Sequence, residues 1–363
     1  MYLLTNGRLI TRDPAGKGYY EKGGVAFDGT KIVEVGDEAA LRAKYPRAEI
    51  IDAKGNLIMP AFINAHTHIY SALARGLSIV GNNPTNFYEV LDGTWWAMDR
   101  KLTLEGTRAS ADALYIDCIK QGVTTIFDHH ASFCEIPGSL FQIGESAKKF
   151  GIRSCLCYEV SDRDGEEKSI QAVKENADWI TYCQEHKDPM LAAMFGGHAL
   201  FTISDKTFDR MVEANNGRTG YHIHVSEGMN DVYDSLQNYG RRPVQRLNAC
   251  LPNVAWCEVT DMLFKNNAKI GAKYFPDELG VLKAGAAADM IVMDYKPFTP
   301  FSDENIDGHI LFGMTGKLCR TTIANGKILM KDREPIGIDE EAENAHILEA
   351  AKKLWGELNH RTY

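Results

Sequence analysis

Over the first 58 residues, short apolar runs alternate with polar positions: Leu3-Leu4, Arg8 to Thr11, Gly24 to Phe27 and Lys31 to Val35. Such runs, punctuated by Asn6-Gly7, Gly23-Gly24 and Asp28-Gly29, predict β-strands joined by turns. The far end repeats the pattern in Gly280 to Gly285, Ala288 to Asp294 and Thr321 to Met330, where Asn325-Gly326 is a strong hairpin signal. Neither end holds enough apolar surface for a core of its own. Pairing residues 1–58 with 275–338 in one small composite β-sandwich solves that problem. The final stretch, 339–363, is rich in Glu, Ala, Lys and Leu and predicts a C-terminal helix.

The middle, 59–274, follows another rhythm. Strand-like runs near Ile58 to His66, Val123 to His129, Arg153 to Glu159, Leu191 to His198 and Gly220 to Ser226 alternate with helical patterns. Leu104 to Lys120, Gly144 to Phe150 and Glu167 to His186 are examples of the latter. Strand then helix, repeated, implies an α/β fold of parallel strands with right-handed crossovers. Chemistry in such folds gathers at the carboxyl ends of the strands.

Composition narrows the function. The chain has 363 residues, 44% apolar and 25% charged, with a net charge of −9, so no basic surface argues for a nucleic-acid partner. No apolar run approaches the ~20 residues that span a bilayer, and the first ten residues do not read as a signal peptide. The eight cysteines include no Cys-x-x-Cys pair. They read as reduced thiols of a cytoplasmic protein.

His66 and His68 end the first strand of the middle region, and residues i and i+2 of a strand share a face. Two imidazoles converging there suit a divalent metal such as zinc; two polar loop histidines would give the same text. His222-Ile-His224-Val-Ser-Glu227 closes the fifth strand, with both histidines on one face and the glutamate in the loop beyond. A metal imidazole followed by a carboxylate suits metal-activated water, with Glu227 moving its proton. His198, ending the fourth strand, can contact a substrate or serve structure alone. Of His129 and His130, which face opposite ways after the second strand, at most one can face the site. Phe87, Tyr88, Trp95 and Trp96 lie in the long segment between the first two strands, where pocket walls and lids often form.

These residues and the runs MPAFINAHTH, QGVTTIFDHHAS, GGHALFTISD, HIHVSEG and GVLKAGAAADMIVMDY resemble the amidohydrolase superfamily. The match falls in its cytosine/guanine deaminase and chlorohydrolase branch, nearest the SsnA-type aminohydrolases. The resemblance covers nearly the whole chain. It implies a (β/α)8 barrel with a small β-sandwich built from both chain ends. Carried over, it makes His66, His68 and His224 metal ligands, Glu227 the proton shuttle, and His198 a substrate contact. His129 and Trp95 join His198 as substrate-binding candidates. Gly196-Gly197-His198 holds no lysine to bridge two metals, which points to one divalent ion, zinc first, with Fe2+ or Mn2+ as alternatives.

The chain departs from that pattern in one place. The family also uses a histidine after strand six and an aspartate after strand eight. Residues 228–274 hold no histidine, and Asp231, Asp234 and Asp261 fall in helical patterns. Three more strand-helix units would need roughly 90 residues at barrel averages; only 47 separate Glu227 from Phe275. The text shifts near Cys250-Leu251, from a helix like that after strand five to one like that after strand eight. An incomplete barrel of about five units, with two open edges and an exposed interior, is therefore expected. A stretch left out of this sequence, an internal deletion, or completion by a partner such as a second copy would each account for it.

The resulting reading is a metal-dependent aminohydrolase or deaminase of a small nitrogen-containing substrate, heterocyclic or amidine-like. One alternative is a degenerate, inactive protein of the same fold. Another is a chlorohydrolase-type reaction. The expected partners are a small-molecule substrate and, as among relatives, a second copy in a homodimer; no nucleic acid or membrane is expected.

Overall fold

The computed structural model describes residues 1–250 and 262–360. The Cys250-Leu251 junction and Asp261 reach outside the described residues. Strands β1 (Tyr2–Ile10), β2 (Tyr19–Asp28), β3 (Lys31–Asp37), β4 (Glu49–Asp52) and β5 (Leu57–Pro60) open the chain. β6 (Phe62–Thr67), β7 (Val123–Asp128), β8 (Arg153–Leu156), β9 (Leu191–Ala193), β10 (Phe195–Ala199) and β11 (Tyr221–His224) follow. β12 (Met290–Met293), β13 (Cys319–Ala324), β14 (Lys327–Lys331) and β15 (Glu334–Pro335) complete the set.

The two chain ends share one sheet, in the order β15-β14-β13-β12-β5-β1-β2-β3, with β4 also paired to β1. The seam is β5 against β12, antiparallel, with Met290 opposite Pro60 and Met293 opposite Leu57. Leu4, Leu9, Val25, Phe27, Ile58, Met290, Val292 and Ile323 bury one cluster from both ends. Each such side chain contributes about 1.5–3 kcal/mol when fully buried. Asn325 (φ +49) and Gly326 (φ +76) turn β13 into β14, the hairpin the sequence predicts. A Cβ on Gly326 would lie 1.8 Å from the Gly29 carbonyl oxygen, so the turn tolerates no side chain.

Several local expectations are corrected. Asn6-Gly7 lies inside β1 at a register shift, and Gly23-Gly24 lies inside β2. Only Asp28-Gly29 begins a true turn, between β2 and β3. Gly280 to Gly285 forms no strand, because Val281 and Leu282 anchor by side-chain burial rather than by a ladder. The Ile58 to His66 run divides at Ala61, leaving β5 in the terminal sheet and β6 in the parallel one.

β6-β7-β8-β9 form a parallel sheet, and β10-β11 a parallel pair. A parallel bridge of His130 with Tyr158 extends the β7–β8 pairing, and one of Val160 with Gly197 links the β8 run to β10. The result is an arc of five parallel runs, β9 and β10 being one run interrupted at Met194. Gly196 allows the close approach here, since a Cβ would fall 2.2 Å from the Tyr158 carbonyl oxygen. Helices Leu104–Gln121, Ser139–Phe150, Glu166–His186, Asp205–Asn215 and Met229–Tyr239 intervene or follow. Thr103 Oγ1 caps the first of these by accepting from Gly106 N at 3.2 Å. Helix Glu340–Asn359 is tied back to that same helix by Lys353 and Glu105.

Among the described residues the arc does not close, since β11 pairs only with β10 and β6 only with β7. Its interior is nonetheless covered. Ile63, Phe127, Cys155 and Ala192, one from each strand of β6 to β9, pack with Phe275, Leu279 and Tyr274. Asn267, on helix Asn267–Tyr274, donates Nδ2 to the Ile63 carbonyl at 2.7 Å. The segment that returns the chain to the terminal sheet thus fills the space the expected strands would enclose. No described helix is long and apolar enough to cross a membrane.

A buried ion pair joins the arc to the terminal sheet. Arg153 Nη1 on β8 lies 2.6 Å from Asp289 Oδ2, while Asp289 Oδ1 accepts from Asn325 N at 2.7 Å. Both side chains are under 5% exposed. Asp289→Ala leaves the guanidinium buried without its partner, and a loss of about 3–5 kcal/mol is expected in urea unfolding. A loss below 1 kcal/mol would show that the pair does not couple the two sheets.

Candidate metal centre

β6, β7, β10 and β11 all end on the same rim, so their terminal side chains meet. His66 and His68 leave β6 on one face, and His222 and His224 leave β11 on one face. One nitrogen of each of His66, His68 and His224 lies within 4.8 Å of the others. His224 Nε2 is 3.2 Å from His68 Nε2 and 3.3 Å from His66 Nε2.

The tautomers follow from the acceptors. His68 Nδ1 is 2.8 Å from the His129 carbonyl oxygen, and His224 Nδ1 is 2.9 Å from the His198 carbonyl oxygen. A carbonyl only accepts, so each Nδ1 carries hydrogen and donates. A proton on His68 Nε2 satisfies its contact with His224 Nε2 in the metal-free site, and a cation held between the same nitrogens would take that proton's place. Tetrahedral zinc, with bonds of about 2.0–2.1 Å, sets its ligand atoms about 3.3 Å apart. The donor set therefore fits a divalent metal.

Below this triad lies a carboxylate that sequence reasoning passed over. Glu159 is 1% exposed. Its Oε1 is 3.0 Å from His129 Nδ1 and 3.2 Å from His68 Nδ1, and its Oε2 is 3.7 Å from His198 Nε2. Glu159 closes the Arg153 to Glu159 run, so its place at a strand end was the available signal. His222, on the face of His224, was a second: its Nε2 is 2.9 Å from His66 Nδ1.

The electrostatics follow these contacts. Burial pulls His68 down, but the hydrogen bond and charge of Glu159 prevail and lift it to about 9. Desolvation and neighbouring imidazoles lower His66 to about 4 and His224 to about 2. Burial alone would raise Glu159, yet the charges of His129 and His198 hold it well below the usual carboxylate range. Burial lowers His198 to about 4.

The remaining candidates divide. His198 is buried, with Nδ1 2.9 Å from Thr202 Oγ1, and the Trp96 ring stands edge-on to it at 5.9 Å. His129 is fully buried, its Nδ1 toward Glu159 and its Nε2 3.0 Å from the His222 carbonyl oxygen. Both ring nitrogens of His129 thus face protein groups. Trp95 packs against the apolar core. Trp96, the next residue, lines a cleft of about 460 Å³ with Tyr88 and Phe201. Glu227 is exposed in the turn after β11, and partial burial of its carboxyl raises its pKa. Gly228 beside it meets Phe87 of the long first loop. Asp231 and Asp234 lie on helix Met229–Tyr239, and neither offers a ligand atom to the triad.

The fold has counterparts among known proteins. The chain belongs to the amidohydrolase family, whose model matches residues 57–270. An imidazolonepropionase-like composite domain model matches 23–48. The chain is 25% identical to a 5'-deoxyadenosine deaminase of Methanosarcina barkeri, over 98% of this chain and 99% of that protein. That alignment runs over 448 positions against 363 residues here. The excess has no counterpart in this chain and matches the length of about three strand-helix units. In fold, a zinc-bound adenosine deaminase from Xanthomonas campestris superposes with a TM-score of 0.75 at 17% identity, covering 97% of this chain and 98% of that one. The zinc complex of atrazine chlorohydrolase from Arthrobacter aurescens gives 0.75 at 18%, covering 97% and 100%.

A metal held by these imidazoles would displace the proton that Glu159 stabilises on His68, whose pKa is lifted to about 9. Zinc titration calorimetry at pH 7, in buffers of different protonation enthalpy, is expected to show about one proton released per metal. The release is expected to fade above about pH 9. Heats independent of buffer at pH 7 would contradict this arrangement.

Proposed function

We propose that this chain is a metal-dependent deaminase of a small nitrogen heterocycle, the nucleoside-like class named for its relative. The observation that carries this reading is the convergence of three imidazole nitrogens, with two tautomers set by backbone carbonyls. His66, His68 and His224 would hold one divalent ion, zinc first. When bound, such an ion lowers the pKa of water and supplies a nucleophile near neutral pH.

The chain's own residues do the rest. Glu227, with its raised pKa at the rim, takes a proton from the attacking water and passes it to the ring nitrogen or the leaving amine. The carbon-nitrogen bond then breaks and ammonia leaves. His198 backs the site with its Nε2 3.7 Å from Glu159 Oε2, and Trp96, Tyr88 and Phe201 supply flat walls for a ring.

A second reading, an inactive member that keeps the fold, is favoured by one observation: neither the strand-six histidine nor the strand-eight aspartate has a counterpart in residues 228–274.

Ammonia release from aminopurine nucleosides, aminopurines and aminopyrimidines, with zinc present, separates the two. Turnover is expected in the parent, loss of both zinc and turnover in His66→Ala, and a drop of about 10²–10⁴-fold in Glu227→Gln with zinc retained. A zinc-loaded parent that is silent across the panel overturns the deaminase reading in favour of the inactive one.

A further inference from the structure

The backbone around Glu159 is pinned on every side. Glu159 N donates to the His130 carbonyl at 2.8 Å, and Val160 N to the Gly196 carbonyl. Asn176, buried on helix Glu166–His186, accepts from Tyr158 N at 2.9 Å and from Gly196 N at 3.0 Å, and returns Nδ2 to the Tyr158 carbonyl at 2.9 Å. One helix side chain thus closes the gap where the β8 ladder ends and fixes the carboxylate one residue on. A buried carboxylate is costly unless each oxygen is paired. Here its partners are three site histidines.

We propose that Glu159 is the positioning residue of the metal centre: its Oε1 holds His68 and His129 through their Nδ1 atoms, so that His68 presents Nε2 to the metal. The inference rests on the reading of His66, His68 and His224 as metal ligands. Oε1 lies on the Nδ1 side of the His68 ring, while Nε2 faces His224. The carboxylate therefore acts through the imidazole, sharing with the His129 carbonyl the Nδ1 hydrogen and raising the ring's basicity, and does not itself join the triad. Through His129 the same oxygen reaches the His222 carbonyl, linking the β8 and β11 sides of the rim.

The test is zinc affinity, by competition with a chromophoric chelator, for the parent, Glu159→Gln and His66→Ala, with circular dichroism checking the fold. Glu159→Gln is expected to bind one zinc about 10- to 100-fold more weakly, with the fold kept. Unchanged affinity in Glu159→Gln, alongside loss in His66→Ala, overturns the positioning role and leaves the metal centre standing. A parent that binds no zinc overturns both. If Glu159→Gln does not fold, long-range ¹H–¹⁵N spectra of the zinc-loaded parent decide. His68 bound through Nε2, with its Nδ1 hydrogen bonded to the Glu159 carboxylate, supports the role; an Nδ1 hydrogen bonded to the His129 carbonyl alone, or coordination through Nδ1, overturns it.

Discussion

Two backbone carbonyls set the chemistry of this protein. The oxygens of His129 and His198 take the Nδ1 hydrogens of His68 and His224, which turns both Nε2 lone pairs toward one point. Those carbonyls are themselves fixed by strand pairing: His129 N donates to the Thr67 carbonyl, and His198 N to that of Val160. The site is therefore a consequence of register. A slip of one residue in any of these strands would reverse the faces and scatter the imidazoles.

That register survives on an arc that does not close among the described residues. Exposed sheet edges and an open interior ordinarily destabilise such a structure. Two devices offset this. Phe275, Leu279 and Tyr274 occupy the inner face against Phe127, replacing apolar contact that further strands would supply. The Arg153–Asp289 pair then fastens the arc to the terminal sheet beneath it. The metal-facing rim lies at the opposite ends of the strands, so the substitution of filling segment for strands leaves the triad in place. The rim has three imidazoles and an exposed Glu227, and among the described residues no aspartate offers a ligand atom to the triad.

The parallel arc, the shared terminal sheet and the His66, His68 and His224 cluster were legible in sequence because each rests on local periodicity. Period-two alternation puts His66 with His68 and His222 with His224 whatever surrounds them. Glu159 was not legible as a site residue, because its role comes from three histidines on other strands, a long-range fact. Trp95 and Trp96 differ by one helical step, about 100°, and sequence alone does not say which faces the cleft. Asn6-Gly7 reads as a turn, yet in β1 its positive φ serves a bulge. The filling of the arc by residues near Phe275 also escaped pattern reading, since it rests on contacts between residues far apart in sequence.

The central claim is that three imidazoles on an open parallel arc hold one divalent metal. Zinc K-edge absorption on the purified, dialysed protein tests it directly. The account predicts one zinc per chain, with imidazole scattering from three ligands at about 2.0–2.1 Å. Substoichiometric zinc, or a shell of oxygens without imidazole, would contradict it.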